Sequence, residues 1–368
     1  MSDAQLDTVA FAERLLALLE EGSFTATYKF AVLLGLMDLC LEGTTKNGEP
    51  PRAVTTVQLS VKIVELYWRQ VSTYGTPERV LEQSAGSSRN LASPPNAKIP
   101  RLIAGFRELH GKELTLHEAR TRVPAAFSEL LREVEWTLAQ MPLPRLQRFG
   151  STEDRFIYEI AWDEEIRRGT WSRSRDFDNR IRFVGESSKH LVRLSGLLRP
   201  LIQQCWARKV ADLNQLEIEK LEQFLFGPSR TNLTRVAEPL LELNEGRCFY
   251  CADRIDGTVH VDHFIPWSRH PDDGIDNLVP SHPPCNMAKK NFLAGHDHLQ
   301  QWTRRTRAMS DELEGIASRA VWPRDAIKTQ GAVRAAYFLN VSRGQRLWVA
   351  GSTFEAANSS DIERALAI

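Results

Sequence analysis

The chain has 368 residues, 47 Lys and Arg against 47 Asp and Glu, 42 % hydrophobic and 26 % charged residues. That balance is ordinary for a protein with a sizeable core and excludes a disordered chain, a collagen-like repeat and a disulfide-stapled mini-protein. A net charge of zero also excludes coating of nucleic acid through overall charge, so any polyanion must be met by local patches.

Three- and four-residue apolar steps predict a helix over Leu6 to Leu19. Thr27 to Leu41 is apolar on most faces and reads as a buried helix, and Thr56 to Thr73 is helical again. Between them, Gly43 to Pro51 is a loop rich in Gly, Thr, Asn and Pro, and Ser84 to Pro100 reads as a long surface loop. Helices are expected at Arg101 to Leu109 and from Leu116 to Leu138, with a boundary at Met141 to Arg145. Phe156 to Trp162 alternates as a strand does, and a helical run extends from Ser187 to about Phe226. The tail after Trp302 is expected to be helical to about Ala320 and mixed beyond.

The stretch 166–183 carries Arg167, Arg168, Arg173, Arg175, Arg180 and Arg182 with Trp171 and Phe177 among them. It can be read in two ways: a positive patch for nucleic acid with Trp171 stacking on a base, or a charged face paired internally with Glu164, Glu165 and Glu186. Arg304, Arg305 and Arg307 leave the same choice between a DNA backbone contact and a charged helix face.

The opening residues carry no secretory signal, and the most apolar run, Phe30 to Leu41, is well short of the ~20 residues a spanning helix needs. The expectation is a cytoplasmic protein with no membrane partner. In that compartment five cysteines, three of them at Cys248, Cys251 and Cys285, point to metal rather than disulfides.

Six of the nine histidines lie between His260 and His298. Cys248-x2-Cys251 and His282-x2-Cys285 are separated by 30 residues. Each pair suits a tight knuckle, and two knuckles close a tetrahedral structural Zn²⁺ site. His260 is the substitute if the Pro-Pro step turns His282 away. Val259 to Phe264 reads as a strand ended by Pro266, Asn277 to Pro280 as a second, and Cys285 or Asn286 opens a helix through Lys289 and Lys290. Adjacent Asp262 and His263 would point to opposite faces of a regular strand, while Asn286 and Lys289 share one helical face. His270, His296 and His298 are read as surface or helix-face residues.

The order Cys-x2-Cys, Asp262-His263-Phe264-Ile265-Pro266, Asn277-Leu278, Cys285-Asn286-Met287-Ala288-Lys289 resembles the HNH, or ββα-metal, endonucleases. It is most similar to their zinc-knuckle, McrA-like branch. The likeness covers about fifty of 368 residues. His282 replaces the usual Cys of the second knuckle, and Asn286 stands where the name-giving final His often stands.

The resemblance implies a metal-dependent endonuclease that hydrolyses DNA phosphodiester bonds. His263 would be the general base, and Asp262 and Asn286 the ligands of a catalytic Mg²⁺ or Mn²⁺. Asn277 would orient the His263 loop, and Lys289 or Lys290 would contact a phosphate. No organic cofactor is implied. The implied fold class is mainly α with a small α+β module. Its expected parts are a helical domain at 1–142, a basic middle region at 143–225, the HNH nuclease domain at 226–300 and a helical or mixed extension at 301–368.

The upstream region would recognise, target or restrain the nuclease, and a bacterial restriction or antiphage role with partner proteins is an expectation from the company such enzymes keep. Two other readings use the same residues: a non-catalytic zinc module binding nucleic acid or protein, and an HNH-type ribonuclease or toxin.

Overall fold

The computed structural model describes residues 7–21, 26–75, 79–84, 97–149, 152–173, 177–227 and 233–367. Much of the expected loop 84–100 lies outside these residues. The chain divides into two compact units, Met1–Cys40 with Pro51–Gly227, and Leu41–Pro50 with Pro228–Ile368. It is mainly helical with small sheets, as the sequence led one to expect.

In the first unit, the helices Thr8–Glu21, Tyr28–Glu42 and Thr56–Gln70 fall close to their expected places. The third begins at a capping box in which Thr55 accepts from Gln58 N and the Gln58 side chain accepts from Thr55 N. The single helix expected over 116–138 is two, Leu116–Arg122 and Pro124–Gln140, because Pro124 cannot continue the first and suits the start of the second. The run after Ser187 is also two helices, Ser187–Asn214 and Ile218–Phe226, parted at Gln215, which has φ 54°. The expected strand 156–162 shrinks to Tyr158–Glu159, which joins Arg180–Phe183 and Ala53–Thr55 in a three-stranded antiparallel sheet. The helix Tyr28–Glu42 is buried on almost every face, and its Asp38 is ion-paired with buried Arg199.

The second unit is built in chain order from α1 (Thr234–Leu243), β1 (His260–His263), β2 (Leu278–Ser281) and α2 (Pro283–Lys289). Then follow α3 (His296–Ala308), α4 (Ser310–Ala320), α5 (Ala326–Ser342), the hairpin β3 (Arg346–Ala350) and β4 (Thr353–Ala356), and α6 (Ser359–Ala367). β1 and β2 pair antiparallel with Asp262 opposite Val279 and His263 opposite Leu278. β1 is shorter than expected, β2 keeps its expected length but is shifted by one residue, and α2 starts earlier, at Pro283, with His282 as its cap.

Phe264 anchors the core of this unit. Its ring stacks on Trp302 of α3 at 5.2 Å and on Tyr337 of α5 at 6.2 Å. Trp348 of β3 donates its backbone N–H to Leu293 O and accepts from Gly295 N, so the terminal hairpin is tied to the segment that follows α2. Segment 41–50 lies against α5: the Glu42 carbonyl occupies the space where a Cβ on Gly331 would stand, and Gly48 faces the Phe338 ring. Among the described residues no helix is long and apolar enough to cross a membrane.

Candidate active site and metal centre

The ligand atoms of Cys248, Cys251, His282 and Cys285 lie within 4.8 Å of one another. Local backbone geometry makes this possible. Ala252, at φ 61°, donates to Cys248 O at 3.0 Å and closes the first knuckle, while Phe249 N donates to Pro280 O at 2.9 Å and fixes that knuckle to β2. His282 Nδ1 is 3.3 Å from Cys251 Sγ, and His282 Nε2 donates to Arg254 O at 3.1 Å. That outer hydrogen bond sets the tautomer and leaves Nδ1 as the ligand atom. His260, the substitute, instead pairs with Ser281 in the strand ladder.

The thiols differ in their electrostatic surroundings. Burial pushes Cys285 up to about 12, reinforced by the neighbouring Cys248 and Cys251. Burial acts the same way on Cys248, but backbone donors from Cys251, His282 and Tyr250 outweigh it and leave this thiol lowered. Three thiols with one imidazole and no open position are compatible with a structural zinc.

Next to the knuckles, β1 delivers Asp262 and His263 to different surroundings, as alternation along a strand requires. Asp262 is buried, and its Oδ2 accepts from the Tyr250 hydroxyl at 2.5 Å and from Lys289 Nζ at 2.9 Å. Oδ1 has no protein hydrogen bond among the described residues, and neither has the Asn286 side chain. The same Lys289 ammonium donates to His263 O at 2.9 Å. This corrects the expectation that Lys289 meets a phosphate. Its side chain is 0 % exposed, so it joins α2 to β1 instead. Burial lowers its proton affinity, and Asp262 opposes that effect. Lys290, in contrast, is exposed.

His263 Nε2 lies 2.8 Å from Asp273 Oδ1, and its ring packs edge-on to Trp267 at 5.5 Å. An ionised carboxylate only accepts, so the hydrogen sits on Nε2 and the Nδ1 lone pair is left free. Asp273 was missed in the sequence, where it is one of many acidic residues. The only signal is its place in the loop between the two strands. Asn277 is fully buried and ties that loop together: Oδ1 accepts from Ile265 N at 2.8 Å, and Nδ2 donates to Asp272 O at 2.9 Å and Ile265 O at 3.2 Å.

Several other calls need correction. His270 is buried, at 3 % exposure, on neither the surface nor a helix, while His298 lies on a face of α3 as expected, but a buried one, at 8 % exposure. His298 Nε2 donates to Tyr250 O at 2.9 Å, and burial lowers its pKa. His296 pairs with Glu355 at 2.8 Å. Arg305 is neither a DNA contact nor part of a solvated face: it is 6 % exposed and donates to Leu278 O at 2.8 Å, and burial lowers its pKa to about 10.

The expected nucleic-acid residues lie in the first unit, except Lys290 at the end of α2. Trp171 packs on Trp136 at 5.5 Å, Arg168 pairs with Glu133, and Arg180 and Arg182 both pair with Asp178. These contacts favour the internally paired reading, although the partners are not the expected ones; Glu164 pairs with Arg145 and Arg148 instead. Arg167 is exposed, nothing is described of the Arg173 side chain, and Arg175 lies outside the described residues.

Residues 248–292 match a family model described as HNH endonuclease. Neither the curated proteins nor the solved structures contain a match to the chain. The matched stretch holds both knuckles, both strands and α2, and it carries the chemistry of nucleic acids as the coarse function of this unit. Residues 248–292 are thus an HNH domain, and the Cys248, Cys251, His282, Cys285 cluster fits its zinc-knuckle branch.

Proposed function

We propose that the protein is a metal-dependent endonuclease that hydrolyses DNA phosphodiester bonds in the cytoplasm, with His263 as general base. The observation that carries this reading is the His263–Asp273 contact at 2.8 Å on a β1–β2–α2 hairpin that matches the HNH family. Asp273 holds the imidazole so that Nδ1 takes the proton of the attacking water, and the carboxylate steadies the imidazolium that results. Asn277 keeps the loop that carries Asp273 in register with Ile265, two residues beyond the base.

The donor set suits a hard divalent cation. Asp262 keeps Oδ1 uncommitted, and Asn286 stands one helical turn before Lys289, on the face of α2 that Lys289 turns to β1. Mg²⁺ or Mn²⁺ bound there would offset charge on the scissile phosphate and its leaving oxygen. Lys289 and Tyr250 orient Asp262 for that role by holding its other oxygen. Lys290 is the exposed cation of the pair and the one able to reach a phosphate. Zinc in the knuckles holds the hairpin and takes no part in hydrolysis.

Plasmid nicking with Mg²⁺, Mn²⁺ or EDTA, comparing wild type with His263→Ala at equal zinc content, tests the reading. Metal-dependent nicking lost in the variant supports it, and equal cutting by both proteins sinks it. RNA offered in competition separates a deoxyribonuclease from a ribonuclease. The same reading extends to a restriction or antiphage role with partner proteins. Phage plaquing on cells carrying wild type or His263→Ala checks that extension.

A further inference from the structure

We infer that Glu42, more than two hundred residues before the HNH match, is a positioning residue of the proposed nuclease site. This inference rests on that reading of the site. The loop between β1 and β2 carries Asp273, the partner of His263, and the loop is held from outside the matched segment. Glu42 Oε1 lies 3.1 Å from His270 Nε2 and 3.7 Å from Lys328 Nζ. Lys328 Nζ lies 4.0 Å from Asp272 Oδ1, and the Thr329 hydroxyl donates to Asp272 Oδ2 at 2.7 Å. Asp272 is the immediate neighbour of Asp273, and its backbone carbonyl accepts from Asn277.

The arrangement is a buried cluster of titratable side chains. Glu42, His270 and Asp272 are 9 %, 3 % and 6 % exposed. Two carboxylates face one ammonium and one imidazole, and in so dry a place neither sign is comfortable without the other. Removing the Glu42 charge takes away a carboxylate that faces both His270 and Lys328, so the loop is expected to shift or let water in. The tight seat of Glu42 on Gly331 shows that this contact is built into the unit: its carbonyl occupies the place a Cβ would take there. Leu41 and Glu42, the last residues of the helix Tyr28–Glu42, belong to the second unit. A fragment beginning near residue 220 lacks this support.

The test uses the full chain with Glu42→Gln, Glu42→Asp and, as an independent cut in the same cluster, His270→Gln. Hydrogen exchange reports on the loop without reference to activity. Glu42→Gln is expected to speed exchange at residues 270–277 while exchange at 246–256 stays unchanged. In plasmid cleavage it should lower kcat about 10- to 100-fold with KM within about twofold, as a displaced base does. Glu42→Asp should recover part of the loss. The Glu42→Gln/His270→Gln pair should lose no more than the worse single variant.

Unchanged protection at 270–277 overturns the inference, and so does wild-type kcat with a loosened loop. Faster exchange at 270–277 in a chain whose wild type cuts nothing would remove the nuclease reading and leave Glu42 as the anchor of the loop.

Discussion

The imidazole of His263 and the carboxylate of Asp273 meet at 2.8 Å across a loop of nine intervening residues, with side-chain exposures of only 15 % and 20 %. Such a contact fixes both the tautomer and the ring plane of a general base. Asp273→Ala is therefore expected to reduce plasmid cleavage by about 10- to 100-fold, and His263→Ala by about 10²- to 10⁴-fold. Asp273→Asn, which keeps an acceptor but not the charge, should fall between wild type and Asp273→Ala. Single-turnover rates at saturating substrate check the order. Equal rates for Asp273→Ala and wild type would show that the base needs no partner.

Lys289 is wholly buried against Asp262, and loss of one partner from such a pair leaves an uncompensated charge. Lys289→Met should destabilise the second unit by about 3–5 kcal/mol. It should also weaken Mn²⁺ binding, because Asp262 loses the contact that orients it. Chemical denaturation at constant zinc content, together with Mn²⁺ titration, separates the two effects. An unchanged midpoint would contradict the pairing.

The four-ligand cluster predicts one zinc per chain. Cys251→Ser or Cys285→Ser should lose that zinc, and with it the ordered packing of Phe249 and Phe264, because ligand and fold form together at such sites. Elemental analysis and near-UV circular dichroism provide the check. Full ellipticity without zinc would mean that the knuckles stand by themselves.

Asp272 makes the loop sensitive to acid. Burial opposes its charge, but Lys328, His270, the Thr329 hydroxyl and the Gly274 amide outweigh burial and hold the carboxyl below its ordinary value of 3.8. A carboxyl depressed in the folded state stabilises it above the unfolded value, and the contribution fades as pH falls through the folded one. Stability from this group should therefore be complete at neutral pH and decline only below 3.8. Asp272→Asn should be less stable than wild type at neutral pH and show a flatter acid limb in denaturation midpoints.

Gly331 has no room for a side chain, since the Glu42 carbonyl stands where its Cβ would be. Gly331→Ala should displace segment 41–50 from α5 and cost about 1–3 kcal/mol, the usual range for overpacking. Thermal unfolding measures the cost. Faster exchange at 41–50 would locate it.

The elements that could be read from the sequence are those whose signals are local. Cys-x2-Cys and His-x2-Cys each bring two ligands together within one turn of chain, so their spacing alone implied the cluster that the fold assembles. Helical periodicity located Tyr28–Glu42 and Thr56–Gln70 for the same reason, and Pro124 marked a helix break that the periodic pattern passed over. The break at Gln215 had no such mark, because a non-glycine residue in the left-handed region is imposed by packing.

The partners of the site residues were decided by tertiary structure alone. Lys289 reads as a free cation until α2 is laid against β1, Asp273 as one more loop acid until the hairpin closes, and Glu42 as a helix end until it meets His270 and Lys328. Residue type and spacing encode what a side chain can do. Which charge it faces depends on segments brought together from far along the chain, and burial then sets how strongly each pair holds.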